Sequence, residues 1–190
     1  MKKEQKQKKR AWVFGTLSLL FLLFSIWKIY QVNAAFPKAE RVYVEFGEEY
    51  PMEEEFLIRV QSMELLDQKQ LEERYGDYIS WGEGHDEKGV IAQIVIRNLC
   101  EETRKFEMYK FYLETNTYFN NGMDRDMYLL ENQDAFLLTL EGREEREVYL
   151  AYSMWDSHFS EKNWRNLEEV EFYLVNERYP KKIYWKKHKK

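Results

Sequence analysis

The sequence predicts a mainly β chain, an antiparallel sandwich with one or two short helices, set behind a single N-terminal transmembrane helix. Three observations carry that prediction. Residues Ala11 to Trp27 (AWVFGTLSLLFLLFSIW) form an uncharged run directly after the basic head MKKEQKQKKR. Beyond it, short β-branched and aromatic runs alternate with charged turns at spacings of roughly 8 to 15 residues, the rhythm of sandwiches rather than of alternating βαβ units. No Gly/Ser tract marks a second domain, so the chain reads as head 1–10, span 11–30, linker 31–40 and one domain over 41–190.

The seventeen uncharged residues make about 25 Å of helix, slightly less than the roughly 30 Å hydrocarbon core of a bilayer. Lys28, Ile29 and Tyr30 close the gap, because the Lys28 stem can lie along apolar surface while its ammonium reaches the headgroups. Trp12 at one end and Trp27 with Tyr30 at the other then occupy the two interfaces, which makes Trp12, Trp27, Lys28 and Tyr30 the expected membrane anchors. Lys2, Lys3, Lys6, Lys8, Lys9 and Arg10 stand against Glu4 alone, a bias that keeps the N-terminus cytoplasmic and exports the remainder. A cleavable signal peptide shares this layout, and Val32-Asn33-Ala34 before Ala35 is an acceptable cleavage site, so a secreted form is the alternative to a tethered one.

In the exported part, Arg41 to Phe46 (RVYVEF) alternates and stops at Gly47. Phe56 to Leu66 (FLIRVQSMELL) is a longer strand. Asp67 to Tyr75 changes period and contains good helix formers, with Asp67 as N-cap, so a short helix is expected to end at Gly76. Gly82, Gly84 and Gly89 around His85-Asp86 mark an exposed turn before Val90 to Asn98 (VIAQIVIRN), the most strongly β segment. Phe106 to Phe119 is a bent strand or two strands meeting at a corner, and Asn121-Gly122 supplies the next turn. Phe136 to Leu140 and Glu147 to Met154 flank a loop containing Gly142. Trp155 to Leu167 is irregular to helical, with Ser157 or Ser160 as caps. Val170 to Val175 and Lys182 to Trp185 close the domain on either side of Tyr179-Pro180.

Charge is segregated. Residues 35–180 hold 16 basic against 33 acidic residues, while the last ten, KKIYWKKHKK, hold six lysines and no acid. An acidic body repels phosphate polymers, which argues against nucleic acid as partner. The lysine-rich end reads as a blunted sheet edge, with docking on an anionic surface as the alternative. Cys100 is the sole cysteine, so no intramolecular disulfide is possible and the core must hold the fold; it reads as a small buried hydrophobe.

No HExxH, GxSxG, P-loop or CxxC spacing occurs, and His85, His158 and His188 lie far apart in turns or the tail. The many acidic pairs are those of a solvated face. No cofactor and no catalytic residue is expected. Asn120, Asn121, Asp124 and Asp126 have the oxygen chemistry of a hard-cation site, but Glu131 misses the EF-hand spacing and an ordinary hairpin turn is the expected reading. Trp81, Trp155 and Trp164 are candidates for an aromatic platform. Trp155 reads as core, whereas Trp164 in EKNWRN, next to Arg165, is the surface candidate for partner binding, because Trp and Arg are enriched at hot spots.

The order VIAQIVIRN, FEMYKFYLETNTY and LEGREEREVYLAYSM, ending in FYLV and YPKK, resembles small exported Gram-positive domains. These are telokin-like or immunoglobulin-like sandwiches of unknown function that follow a signal peptide or membrane anchor in Clostridia-type bacteria. The resemblance implies an immunoglobulin-like fold and transfers no functional residue. Lipid-anchored members have a cysteine after the hydrophobic segment, and here none stands there. The function expected is therefore a membrane-anchored, extracytoplasmic, non-catalytic binding domain whose partners are the bilayer and another envelope or membrane protein. The alternatives are a secreted domain, an accessory subunit contacting a transporter or sensor through its helix, where Gly15, Thr16 and Ser18 permit close packing, and an envelope hydrolase.

Overall fold

A computed structural model describes residues 2–76, 84–132 and 135–187, with residues 2–11 described by their backbone alone. Trp81, Gly82, Glu83 and His188, and the last two lysines, lie outside the described residues. The chain divides into two units, residues 1–39 and 40–190.

The first unit is one helix, α1 (Lys2–Ala35). Within it, Trp12–Ala35 is long and apolar enough to cross a membrane, a character it shares with signal sequences. The hydroxyls of Thr16 and Ser25 donate to the carbonyls of Trp12 and Phe21, both at 2.9 Å, which satisfies them inside the helix. Lys28 Nζ sits 5.0 Å from the Trp27 ring and 5.9 Å from that of Phe24.

The second unit is a β-sandwich. Its first sheet has five strands in the order β1 (Glu40–Glu45), β11 (Lys181–Lys186), β10 (Phe172–Arg178), β6 (Phe111–Thr115) and β7 (Asn120–Gly122). The second has four, β2 (Glu49–Met52), β3 (Phe56–Leu66), β4 (Glu87–Asn98) and β9 (Glu145–Trp155), and β5 (Arg104–Glu107) with β8 (Leu137–Leu140) forms a separate pair. The described residues thus hold eleven strands. Inward residues of both large sheets, among them Ile58, Val60, Ile94, Ile96, Phe111, Leu113, Leu174 and Trp185, interdigitate as one core. All pairs are antiparallel except β1 with β11, which run parallel from Glu40↔Lys181 to Glu45↔Lys186.

The four-stranded sheet is covered on its other face by two helices, α2 (Gln68–Tyr75) and α3 (Arg125–Asn132). Leu71 and Tyr75 of α2 and Met127 of α3 close over Leu66, Ile91 and Ala151. This explains why β4 is so uniformly apolar: it is buried on both faces, whereas a one-sided strand would alternate. As expected, Asp67 caps α2 by accepting from Gln70 N at 2.9 Å, and the Gln70 side chain returns the bond to Asp67 N. Gly89 is not a turn residue. It lies inside β4, where an added Cβ would stand 2.7 Å from Leu71 Cδ2, so its missing side chain admits α2 to the sheet.

Phe106 to Phe119 resolves into β5, a 3-10 turn (Met108–Lys110) and β6, so the corner reading holds. Asn121-Gly122 belongs to β7, and the turn lies earlier, where Thr115 Oγ1 accepts from Thr117 N and Phe119 N at 3.3 and 3.2 Å. α3 is additional to the expected helices, its start hidden in a stretch read as a turn. Ser160 caps the third short helix, α4 (Glu161–Arg165), through Asn163 N. Cys100 is half-buried in the loop after β4.

At that loop one side chain ties the four-stranded sheet to the β5–β8 pair. Asn98 is fully buried; its Nδ2 donates to the carbonyls of Glu102 (2.9 Å), Leu140 (3.3 Å) and Glu141 (2.9 Å), and its Oδ1 accepts from Cys100 N at 2.9 Å. Beside it Gly142 packs on the backbone so closely that a Cβ would fall 1.8 Å from Glu101 O. Substituting Asn98→Ala leaves those carbonyls without their donor and is expected to cost about 2–3 kcal/mol. Gly142→Ala is expected to cost about 1–3 kcal/mol through forced backbone displacement. Denaturant unfolding of the chain in detergent, followed by tryptophan fluorescence, measures both.

Candidate functional site

Strand alternation aims Val44, Leu113, Leu174, Ile183 and Trp185 of the five-stranded sheet at the core, so their neighbours face outward. Register then aligns Tyr43 with Tyr184, Tyr184 with Val175, and Val175 with Tyr112, giving one row across four strands. Tyr43 stacks on Tyr184 at 5.2 Å, and Tyr173 meets Tyr184 edge-on at 5.8 Å. Tyr184 is covered by these neighbours, while Tyr43 stays 51% exposed at the edge strand.

Charge threads this tyrosine face. Lys182 Nζ lies 2.6 Å from Glu114 Oε1 and 3.7 Å from Glu177 Oε2, and 5.4 and 5.3 Å from the rings of Tyr112 and Tyr184. Burial opposes its charge, but hydrogen bonds with Glu114, Tyr112 and Tyr184 outweigh that and hold its pKa above the ordinary lysine value. Burial also raises the Tyr112 and Tyr184 phenols. Tyr173 is pushed up to about 12, first by its 2.6 Å hydrogen bond to Glu171 and then by burial.

At the β1 edge of this face a groove of about 770 Å³ opens between the two sheets. Its floor is Phe46, Met63, Leu65, Val90, Val170 and Phe172, and its rim carries Glu45, Glu168, Glu169 and Glu171 with Lys186 and Lys187. Tyr43 and Tyr173 belong to both face and groove. Rigid aromatics beside a half-open apolar cleft with a charged rim suit recognition of another molecule; nothing in this set is arranged as a nucleophile with its base.

A family model matches residues 33–183. The chain belongs to that family, described as a domain of unknown function (DUF5028). No curated protein matches it. Among solved structures, the chain is similar to an uncharacterized β-sandwich protein from Clostridium difficile 630, with a TM-score of 0.47 and 11% identity over 78% of this chain and 95% of the other. It is similar also to a conserved hypothetical protein from Bacillus anthracis, with a TM-score of 0.45 and 11% identity over 69% and 87% of the two chains. A secreted protein from Mycobacterium tuberculosis, MPT63, gives 0.45 and 10% over 78% and 99%.

In this DUF5028 member the residues singled out from sequence are dispersed. Trp164, the surface candidate, is only 8% exposed; its Nε1 donates to Asp86 Oδ2 at 2.8 Å, and Lys88 Nζ lies 4.8 Å from its ring. Its amphipathic segment turns the indole inward, and Arg165 alone stays outside, paired with Glu161 one turn away. Trp155 is half-buried at the end of β9 rather than wholly core. It stacks with His85 at 6.2 Å and His158 at 5.5 Å, so two histidines far apart in sequence meet on one indole. His85 Nδ1 lies 2.9 Å from Asp156 Oδ1 and holds that carboxyl below the usual aspartate range.

Asp124 is committed to folding: its Oδ1 accepts from Asp126 N and Met127 N, both at 3.1 Å, at the start of α3. Asn121 Nδ2 donates to Ser153 O at 2.9 Å. Among the described residues no group of three or more His, Cys, Asp or Glu is set to hold a metal ion. The tyrosine face escaped the sequence reading, although its signal was there: Tyr43, Tyr173 and Tyr184 each stand at the outward register of a strand.

The Glu171 carboxylate stabilises the neutral Tyr173 phenol, so the folded pKa lies above the unfolded value near 10. Its contribution to stability is complete below about pH 10 and is lost as pH rises through about 12. Glu171→Gln is expected to move the Tyr173 transition downward in an ultraviolet difference titration, with burial keeping it above the free-tyrosine value.

Proposed function

We propose that this chain is a non-catalytic binding protein of the bacterial envelope, held at the membrane by α1, with its sandwich outside the cytoplasm. The sandwich engages another envelope or membrane protein through the tyrosine face and the groove beside it. The observation that carries this reading is the exposed Tyr43, stacked on Tyr184 at the lip of an apolar groove of about 770 Å³. Aromatic anchors over a partly desolvated pocket are the usual centre of protein recognition.

The length of α1 supports a retained anchor. The uncharged run from Ala11 to Trp27 is seventeen residues long, against the 7 to 15 apolar residues of a signal core, and the helix continues to Ala35. Exposed Trp12, Trp27 and Tyr30 then serve as interface rings, and Lys28 reaches the headgroups from its position over Trp27. A second reading draws support from the notch outlined by Trp12, Gly15, Thr16 and Leu19, which suits a helix from a transporter or sensor complex.

A photoreactive residue at position 41, exposed on the same face of β1 two residues from Tyr43, irradiated in intact membranes, is expected to capture one partner reproducibly. The double substitution Tyr43→Ala with Tyr173→Ala should lower recovery about tenfold, the effect of losing about 1.4 kcal/mol. Capture of nothing reproducible would sink the binding reading. The mass of the mature N-terminus decides tethering, since an N-terminus at Ala35 would mean release. If capture is instead lost on replacing Ala11 to Trp27 with an unrelated apolar span, the helix is the contact.

A further inference from the structure

The rim of the groove contains a strand edge with no partner strand among the described residues. β2 pairs with β3 only from Met52↔Phe56 to Glu49↔Arg59. The chain preceding β2 turns away at Gly47, whose N–H donates to Val60 O at 2.8 Å, and continues back into β1, which belongs to the other sheet. From Gln61 to Leu66, therefore, β3 is paired with β4 alone among the described strands. The register shift between Val60 and Ser62 moves Met63 and Leu65 onto the inner side, where both stay half-buried as groove floor.

We infer that this edge takes an extended peptide with apolar residues at alternate positions and basic residues at its ends, which adds as a strand beside Gln61–Leu66; the inference rests on the binding role given to the groove. Six residues of strand are about 20 Å long, enough for the main-chain bonds of strand addition. Alternate side chains of the incoming strand fall on Met63, Leu65 and Phe46, which require apolar groups. Basic ends follow from the rim, where Glu168 and Glu169 are exposed and, among the described residues, stand with Glu45 and Glu171 against Lys186 and Lys187. On the outer side of the edge Glu64 is already engaged by Arg74 at 3.6 Å, so discrimination rests with the rim.

The test uses the full chain in detergent micelles and a capped octapeptide, alternating valine and threonine over six residues with a lysine at each end, read by amide hydrogen exchange. Saturation with this peptide is expected to slow exchange in Gln61–Leu66 by about tenfold or more. The same peptide with a glutamate at each end should bind at least about tenfold more weakly, and Glu168→Lys with Glu169→Lys should weaken the lysine-ended peptide by a similar factor. A peptide N-methylated at alternate positions should give no protection. Equal binding by the N-methylated peptide, or no protection at millimolar peptide, overturns strand addition. Protection that appears without peptide and grows with protein concentration assigns the edge to a second copy of this chain and also overturns it. Failure of strand addition leaves capture from position 41 standing, whereas strand addition without that capture removes only the envelope partner.

Discussion

The sandwich depends on one buried amide. Asn98 ends β4, the strand that both neighbours in its sheet flank, and its side chain ties the carbonyls of Glu102, Leu140 and Glu141 to its own loop. Its backbone N–H donates to Glu144 O at 2.9 Å, and Arg143 N donates to Cys100 O at 2.9 Å. The chain leaves the four-stranded sheet toward β5 and returns to it from β8 at this point. Both crossings are fixed by the same two N–H groups and one oxygen. In a chain without a disulfide, such a satisfied polar node specifies which loops meet, while the apolar core supplies the driving force without choosing among pairings.

The two large sheets end with different outer surfaces. The four-stranded sheet is covered by α2 and α3 over part of its face. Over the rest, Arg59 and Arg97 lie between Glu49 and Glu145 at 3.1 to 3.7 Å, so charge is matched strand by strand. Each such exposed pair contributes little, yet together they give this part of the face a charged surface. α3 is held down by Asn132, which exchanges hydrogen bonds with the backbone of Tyr149 on β9. Among the described residues of the second unit no helix covers the outer face of the five-stranded sheet, which carries tyrosines. An asymmetry of cover thus selects which face of the sandwich is free to meet another molecule.

Local chemistry explains which parts were legible from sequence. β3 and α2 were readable because alternation, a change of period and an Asp67 cap coincide in one short segment. β2 was not, since Pro51 and four residues between acidic turns are poor strand signals. α3 was hidden because Asp124 serves equally well as a cation ligand, a turn former or a helix cap, and only the neighbouring N–H groups decide. Trp164 looked exposed in a polar segment, yet its indole N–H found Asp86 across 78 positions of chain, a long-range partner that no local pattern announces. The tyrosine face required knowing that β1 and β11 are neighbours, which alternation within each strand cannot reveal. The family assignment leaves function open, so the site rests on geometry alone.

The parallel pairing of β1 with β11 has a mechanical meaning. β1 is the first strand after the helix and β11 the last of the domain, and they share six registered residue pairs. Tension applied between the start of β1 and the end of β11 would pull the two strands lengthwise past each other. All the hydrogen bonds between them would then be strained together, and none could open first as in a zipper. A domain joined in this way resists stretching through its two terminal strands, while the groove beside β1 would feel the same force directly.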